Sequence, residues 1–311
     1  MSQPNVSLHP ENRAVFAINA QGKIAAAPAE KVLVFPSPSR PAIQLLVPRE
    51  HGVWGLLLFP LVSGVIVGYG ASPNASVKPA LWFLLAALST FLIYQPLESL
   101  LGLSLIKARS QRQQRIATLS VMALAVIATV GVLELFNLHR GLVLGFGLAA
   151  LGCFGVRLLL GNTRPMRVPR QFIGALGLSS AAAGAYYAAS GRIDRTGILL
   201  WLASWLFAVG QIEYVHLRLA TAQVRSRRQK VRSGLALCFL YLLMIGATLT
   251  AAFAGFAPLL LALAFVPSVI RVAVWLARPW RPLGVHILGF SELLQGLLFN
   301  ILLIGAFLFH T

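Results

Sequence analysis

The sequence predicts an all-α, polytopic transmembrane bundle of about nine helices. Three observations carry this. Of the 311 residues, 58% are hydrophobic and only 11% charged, and mean hydropathy is +0.78. Soluble domains carry about 25% charged residues, so water alone could not wet this surface. Apolar stretches of roughly 18 residues or more recur, the length needed to cross about 30 Å of hydrocarbon. The 26 Lys and Arg residues, against 8 Asp and Glu, punctuate these stretches instead of forming a soluble basic face. The composition excludes an ordinary soluble enzyme, a disordered regulator and a disulfide scaffold, and the placement of charge argues against a nucleic-acid partner.

Residues 1–47 read as a flexible cytoplasmic tail, rich in Pro, Ala and Ser. Prolines at 28, 36, 38, 41 and 48 break any helix longer than a turn or two. No signal peptide is expected, and a short interfacial segment is expected near Ile43 to Val47. The membrane domain, 48–311, follows with spans near 53–70, 80–104, 116–136, 142–160, 173–190, 196–217, 234–255, 257–276 and 286–309. The boundary between the seventh and eighth rests on Gly255 and Pro258 alone, and a single broken helix is the alternative. Strand patterning at barrel spacing does not recur.

With the N-terminus inside and nine spans, 22 of the 26 basic residues fall on the inner side. The outer side keeps Lys78, Arg140, Arg192 and Arg195. The positive-inside rule then gives a cytoplasmic N-terminus and an outer C-terminus in a bacterial inner membrane. Cys153 and Cys238 fall inside spans and read as small apolar residues. Trp82, Trp201, Trp205, Trp275 and Trp280 lie near span ends and read mainly as interfacial anchors. Gly64-x-x-x-Gly68 and Gly141-x-x-x-Gly145 have the spacing that lets helices approach closely.

An ionisable group inside a span is costly, so each is a functional candidate. Glu50, Glu98, Glu213 and Glu292 all gather in the cytoplasmic half, at the ends of spans one, two, six and nine. His51 adjoins Glu50, and His216 follows Glu213 by three residues, on one helix face. A Glu-x-x-His pair is half of a di-iron signature, so Glu213 and His216 are candidate metal ligands, with polar pairing near the headgroups the commoner reading. Arg49, Arg109, Arg157 and Arg218 are candidate phosphate ligands in a cationic inner vestibule, or topology determinants and nothing more. His51 suits acid–base work because its ordinary pKa lies near neutrality. Glu292 is deep enough to demand a partner, either as an Arg-paired structural group or as a site residue. Walker loops, dinucleotide fingerprints, Cys/His zinc sites and nucleophile elbows are not found.

The stretch VPREHGVWGLLLFPLVSGV, 47–65, resembles the opening motif of the YwiC-like family of bacterial membrane proteins, which begins span one with Pro-x-x-His-Gly-Ala-Trp. Pro48, His51, Gly52 and Trp54 match, and Val53 replaces the Ala. Looser similarities lie at 94–115, 170–191, 213–228 and 283–299, with His216 at a position that is Lys or Arg in the family. The last of these implies roles for Gly289 and Glu292. The nine spans, with inner loops after spans two and six, are similar to the UbiA prenyltransferase architecture. That resemblance implies a prenyl pyrophosphate held through Mg²⁺ at these helix ends, where Glu98 and Glu213 stand alone. The leading expectation is a cytoplasm-facing polar cavity for an anionic or pyrophosphorylated, isoprenoid-type lipid. In it Arg49, Glu50, Arg109, Arg157, Arg218 and Glu292 contact substrate, His51, Glu98 and Glu213 act chemically, and Glu98, Glu213 and His216 bind metal. The alternatives are a transporter of a small solute that uses Glu292, and a non-catalytic membrane or redox-complex partner that holds metal or heme through His51 and His216.

Overall fold

The computed structural model describes residues 16–18, 24–26, 51–73, 75–102, 110–160, 166–222, 226–278 and 284–309. The chain divides into two units, Met1–Pro41 and Ala42–Thr311. In the first, β1 (Phe16–Ile18) pairs antiparallel with β2 (Ile24–Ala26), with Ala17 opposite Ala25. No strand was expected in this tail; two short apolar runs, Phe-Ala-Ile and Ile-Ala-Ala, pair there. The expected interfacial segment at Ile43 to Val47 lies outside the described residues.

The second unit is helical. Among the described residues its helices are α1 (His51–Gly70), α2 (Val77–Leu100), α3 (Gln111–Asn137), α4 (Val143–Leu159), α5 (Arg167–Ser190), α6 (Arg195–Ala220), α7 (Arg227–Phe253), α8 (Leu261–Ala277) and α9 (Val285–Leu308). Each expected span has its helix. Seven are long and apolar enough to cross a membrane. The other two, α4 and α8, have 17 residues each, about 25 Å, at the lower end of spanning length. The protein is thus a multi-pass helical membrane bundle. Spans seven and eight are separate helices: Gly255 takes a left-handed conformation (φ 72°), and Pro258 stands in the turn three residues before α8.

Termini are satisfied locally. The Ser110 side chain accepts from the Gln113 backbone N–H, and the Gln113 side chain accepts from the Ser110 backbone N–H, closing a capping box on α3. Asp194 caps α6, accepting from the Thr196 and Gly197 N–H groups and from the Tyr186 hydroxyl at 2.6 Å. Lys230, buried on α7, donates to the carbonyls of Trp275 and Arg278 at 2.5 and 2.7 Å and so closes the C-terminus of α8.

At the centre lies α5, packed against α1, α2, α4 and α6. Its last turns, from Ser179 to Ser190, are small residues plus Tyr186 and Tyr187, all buried. Small side chains let α1 come very near. A Cβ on Gly64 would sit 2.2 Å from the Ala182 carbonyl oxygen, and one on Gly68 would sit 2.7 Å from that of Tyr186. This Gly-x-x-x-Gly pair is therefore a helix seam. The second is not: Gly145 faces open space, and Gly141 meets only the Phe136 ring. Two tryptophans also depart from interfacial anchoring. The Trp201 and Trp205 indoles donate across to the α5 carbonyls of Leu176 and Phe172, at 2.9 and 3.1 Å. Large apolar side chains on α3 and α7, including Met122, Leu133, Phe239 and Leu242, are exposed and suit contact with lipid tails.

Candidate functional site

Between α1, α5, α6 and α9 the bundle leaves a cavity of about 240 Å³. The helix ends carrying Gly52 and Val53 (α1), Gln171 (α5), His216 (α6) and Glu292 (α9) frame one side of it, and Pro60, Ser204 and Asn300 lie deepest. The walls are largely apolar. Phe207 and Phe299 stack at 4.0 Å between ring centroids, and the Phe59 ring of α1 occupies the space that a Cβ on Gly296 of α9 would need. Pro60 carries no N–H, so it cannot donate to the carbonyl of Leu56 one turn earlier, and both residues line the cavity.

One charged group on this wall is held tightly. Arg271, inside α8, donates through Nη1 to Glu292 Oε1 at 2.9 Å, and its Nη2 donates to Glu292 Oε2 at 3.4 Å and to Gln211 Oε1 at 2.7 Å. Its guanidinium lies 3.7 Å from the centroid of the Tyr214 ring. Arg218 donates to the Tyr214 hydroxyl at 3.0 Å. Three helices thus converge on Arg271, and pairing neutralises the one carboxylate among the described lining residues.

The expected site residues separate into two places. Glu292 and His216 line the cavity; Glu213 is not among its lining residues. Glu98 belongs to a second cluster on α2 and α4. There the Tyr94 hydroxyl donates to Glu98, Arg157 Nη2 lies 4.0 Å from Glu98 Oε1, and the Arg157 guanidinium covers the Tyr94 ring at 4.8 Å. Among the described residues its basic partner is therefore Arg157. Arg49, Glu50, Arg109 and the side chain of His51 lie outside the described residues. Among the described residues no three His, Cys, Asp or Glu side chains come together, so Glu98, Glu213 and His216 do not assemble a metal site. The described donors do not fit the Mg²⁺ that the resemblance implies.

Reading the sequence missed Arg271, which it sorted with the inner loop, and it passed over Gln171, Ser204 and Asn300. The available signal was an Arg with six residues of α8 still to follow, and lone amides in apolar helices.

Residues 47–186 match the family model described as YwiC-like protein. Over these residues the chain is similar to the YwiC-like family. The match spans just under half of the chain and takes in α1 to most of α5, hence the α1 wall, Gln171 and the Glu98–Arg157 cluster. The α6 and α9 walls lie beyond the YwiC-like region. No curated protein and no solved structure matches the chain.

Proposed function

We propose that this YwiC-like protein sits in the bacterial inner membrane with its N-terminus in the cytoplasm and binds an amphipathic, isoprenoid-type lipid in the α1–α6–α9 cavity. The supporting observation is the cavity itself: apolar and aromatic walls, with His216 and the paired Glu292 at one end. Basic residues at that end of the bundle, Arg157 and Arg218 among them, gather anionic and pyrophosphorylated headgroups at the membrane surface. Prenyl transfer of the UbiA type gains no support from the described donors, so the reading is one of binding.

Mass spectrometry of protein purified from membranes tests this. An isoprenoid-type lipid should be retained near one per chain, well above its share of the bulk lipid; retention of bulk lipid in ordinary proportion defeats the proposal. Orientation is checked separately. Alkaline phosphatase fused after Thr311 should be active and a fluorescent protein fused there dark, with the opposite pattern for a fusion after Ala222. Transport of a small solute is the second reading, favoured by the ion pair Arg271–Glu292 inside the bundle. Solute flux in proteoliposomes, abolished by Glu292→Gln, would support it over lipid binding.

A further inference from the structure

Four polar atoms, set just behind the cavity surface in residues that line it, have no hydrogen-bond partner among the described residues. Ser204, Gln211 and Asn300 line it at 4%, 8% and 6% exposure, and Ser204 Oγ, Gln211 Nε2 and Asn300 Oδ1 have no partner among the described residues. Gln171 Oε1 is a fourth such atom on the same lining.

Neighbouring bonds decide which atoms remain. The Gln211 oxygen accepts from Arg271, which leaves its NH₂ group as a spare donor. The Asn300 NH₂ donates to the Gly296 carbonyl at 2.8 Å, which leaves its oxygen as a spare acceptor. Ser63, Ser179, Ser180 and Ser190 each donate to a carbonyl three or four residues earlier in their own helix. Ser204 does not, so its hydroxyl is available both to donate and to accept.

A buried polar group without a partner is destabilising, and several on one cavity wall call for a common explanation. Two ligand classes fail to provide it. A plain hydrocarbon would leave every one of these atoms unsatisfied. An anion would meet no Lys or Arg among the described lining residues, and would lie beside a Glu292 already held by Arg271. The levels are also informative: Ser204 lies two turns below Gln211 on α6, about 10 Å deeper. A bound molecule must carry its polar atoms into the cavity.

We propose that the cavity interior recognises an uncharged group bearing both a hydrogen-bond donor and an acceptor on an apolar body, the class whose simplest isoprenoid member is an alcohol. Phe59, Phe207 and Phe299 take the apolar part; Gln211 and Ser204 donate, and Asn300 and Gln171 accept. The inference rests on the cavity being the lipid site proposed above and adds the chemistry of the group inside it. The volume suits such a group, exceeding the roughly 150 Å³ of an engineered apolar cavity that holds benzene.

Radiolabelled farnesol, with the full-length protein in nanodiscs, is the probe. Farnesol should bind saturably, and an equal concentration of squalane should not displace it. A single hydroxyl cannot reach groups about 10 Å apart, so either Ser204→Ala and Asn300→Leu at the deep level, or Gln211→Leu at the shallower one, should weaken binding by roughly 3- to 10-fold, the loss of one net hydrogen bond. Gln171→Leu, nearer the cavity end, provides a further variant if a deep one fails to fold. Unchanged farnesol affinity in the folded variants, or equal displacement by squalane, overturns the inference. So does farnesyl pyrophosphate that binds more tightly than farnesol, weakened by Arg218→Ala and indifferent to the polar variants; that outcome leaves the lipid site standing. Failure of both farnesol and farnesyl pyrophosphate to bind removes the lipid site as well.

Discussion

Arg271→Met is expected to destabilise the folded protein by about 3–5 kcal/mol, because it strands a buried carboxylate. Arg271 and Glu292 are 13% and 14% exposed, and their contact at 2.9 Å is reinforced by the bond from Arg271 to Gln211. Removing the cation also leaves the Gln211 oxygen without its donor. The double replacement Arg271→Met with Glu292→Leu should recover most of the loss, since apolar pairs of similar volume replace buried ion pairs at little net cost. Chemical unfolding in mild detergent measures both. A single variant as stable as the parent would mean that water reaches the pair.

The second large effect is expected at the α1–α5 seam. In Gly64→Ala the new methyl would stand 2.2 Å from a backbone oxygen, an atom that cannot rotate away. The helices must separate along the seam, and overpacking of this kind costs about 1–3 kcal/mol. Gly64→Leu should prevent assembly outright, seen as loss of the monodisperse peak on size exclusion. Gly145→Ala is the matched control: its Cβ meets nothing within 4 Å, and its effect should stay within about 0.5 kcal/mol. If Gly64→Ala and Gly145→Ala melt together, the seam does not hold the bundle.

Fold and site differed in how far the sequence disclosed them, for a physical reason. Helix existence depends on a local property, the length of an apolar run against the thickness of hydrocarbon, so each span could be read directly. The break at Gly255 and Pro258 was legible because backbone freedom and a missing N–H act within a residue or two. Partnership across helices has no such local mark. Arg271 looked like one more positive charge near a loop, yet it joins α6, α8 and α9. Glu98 promised a metal-binding helix end and instead pairs with Arg157 two helices away. The unpartnered hydroxyl of Ser204 was the least visible of all, because its neighbours Leu200 and Ala208 look the same whether or not it bonds back along the helix.

The glycine seam also governs how the cavity wall can move. Backbone meets backbone where α1 rests on α5, with only the Ala185 and Ala189 methyls beside it, which have no rotamer to change. Across the cavity, α9 meets α1 through side chains, among them the Phe59 ring over Gly296 and Leu308 over Gly70, which can change rotamer. In mechanical terms α1 is the jamb and α9 the door. Of the two walls α9 is therefore the one that can yield more readily as a molecule exchanges between bilayer and cavity.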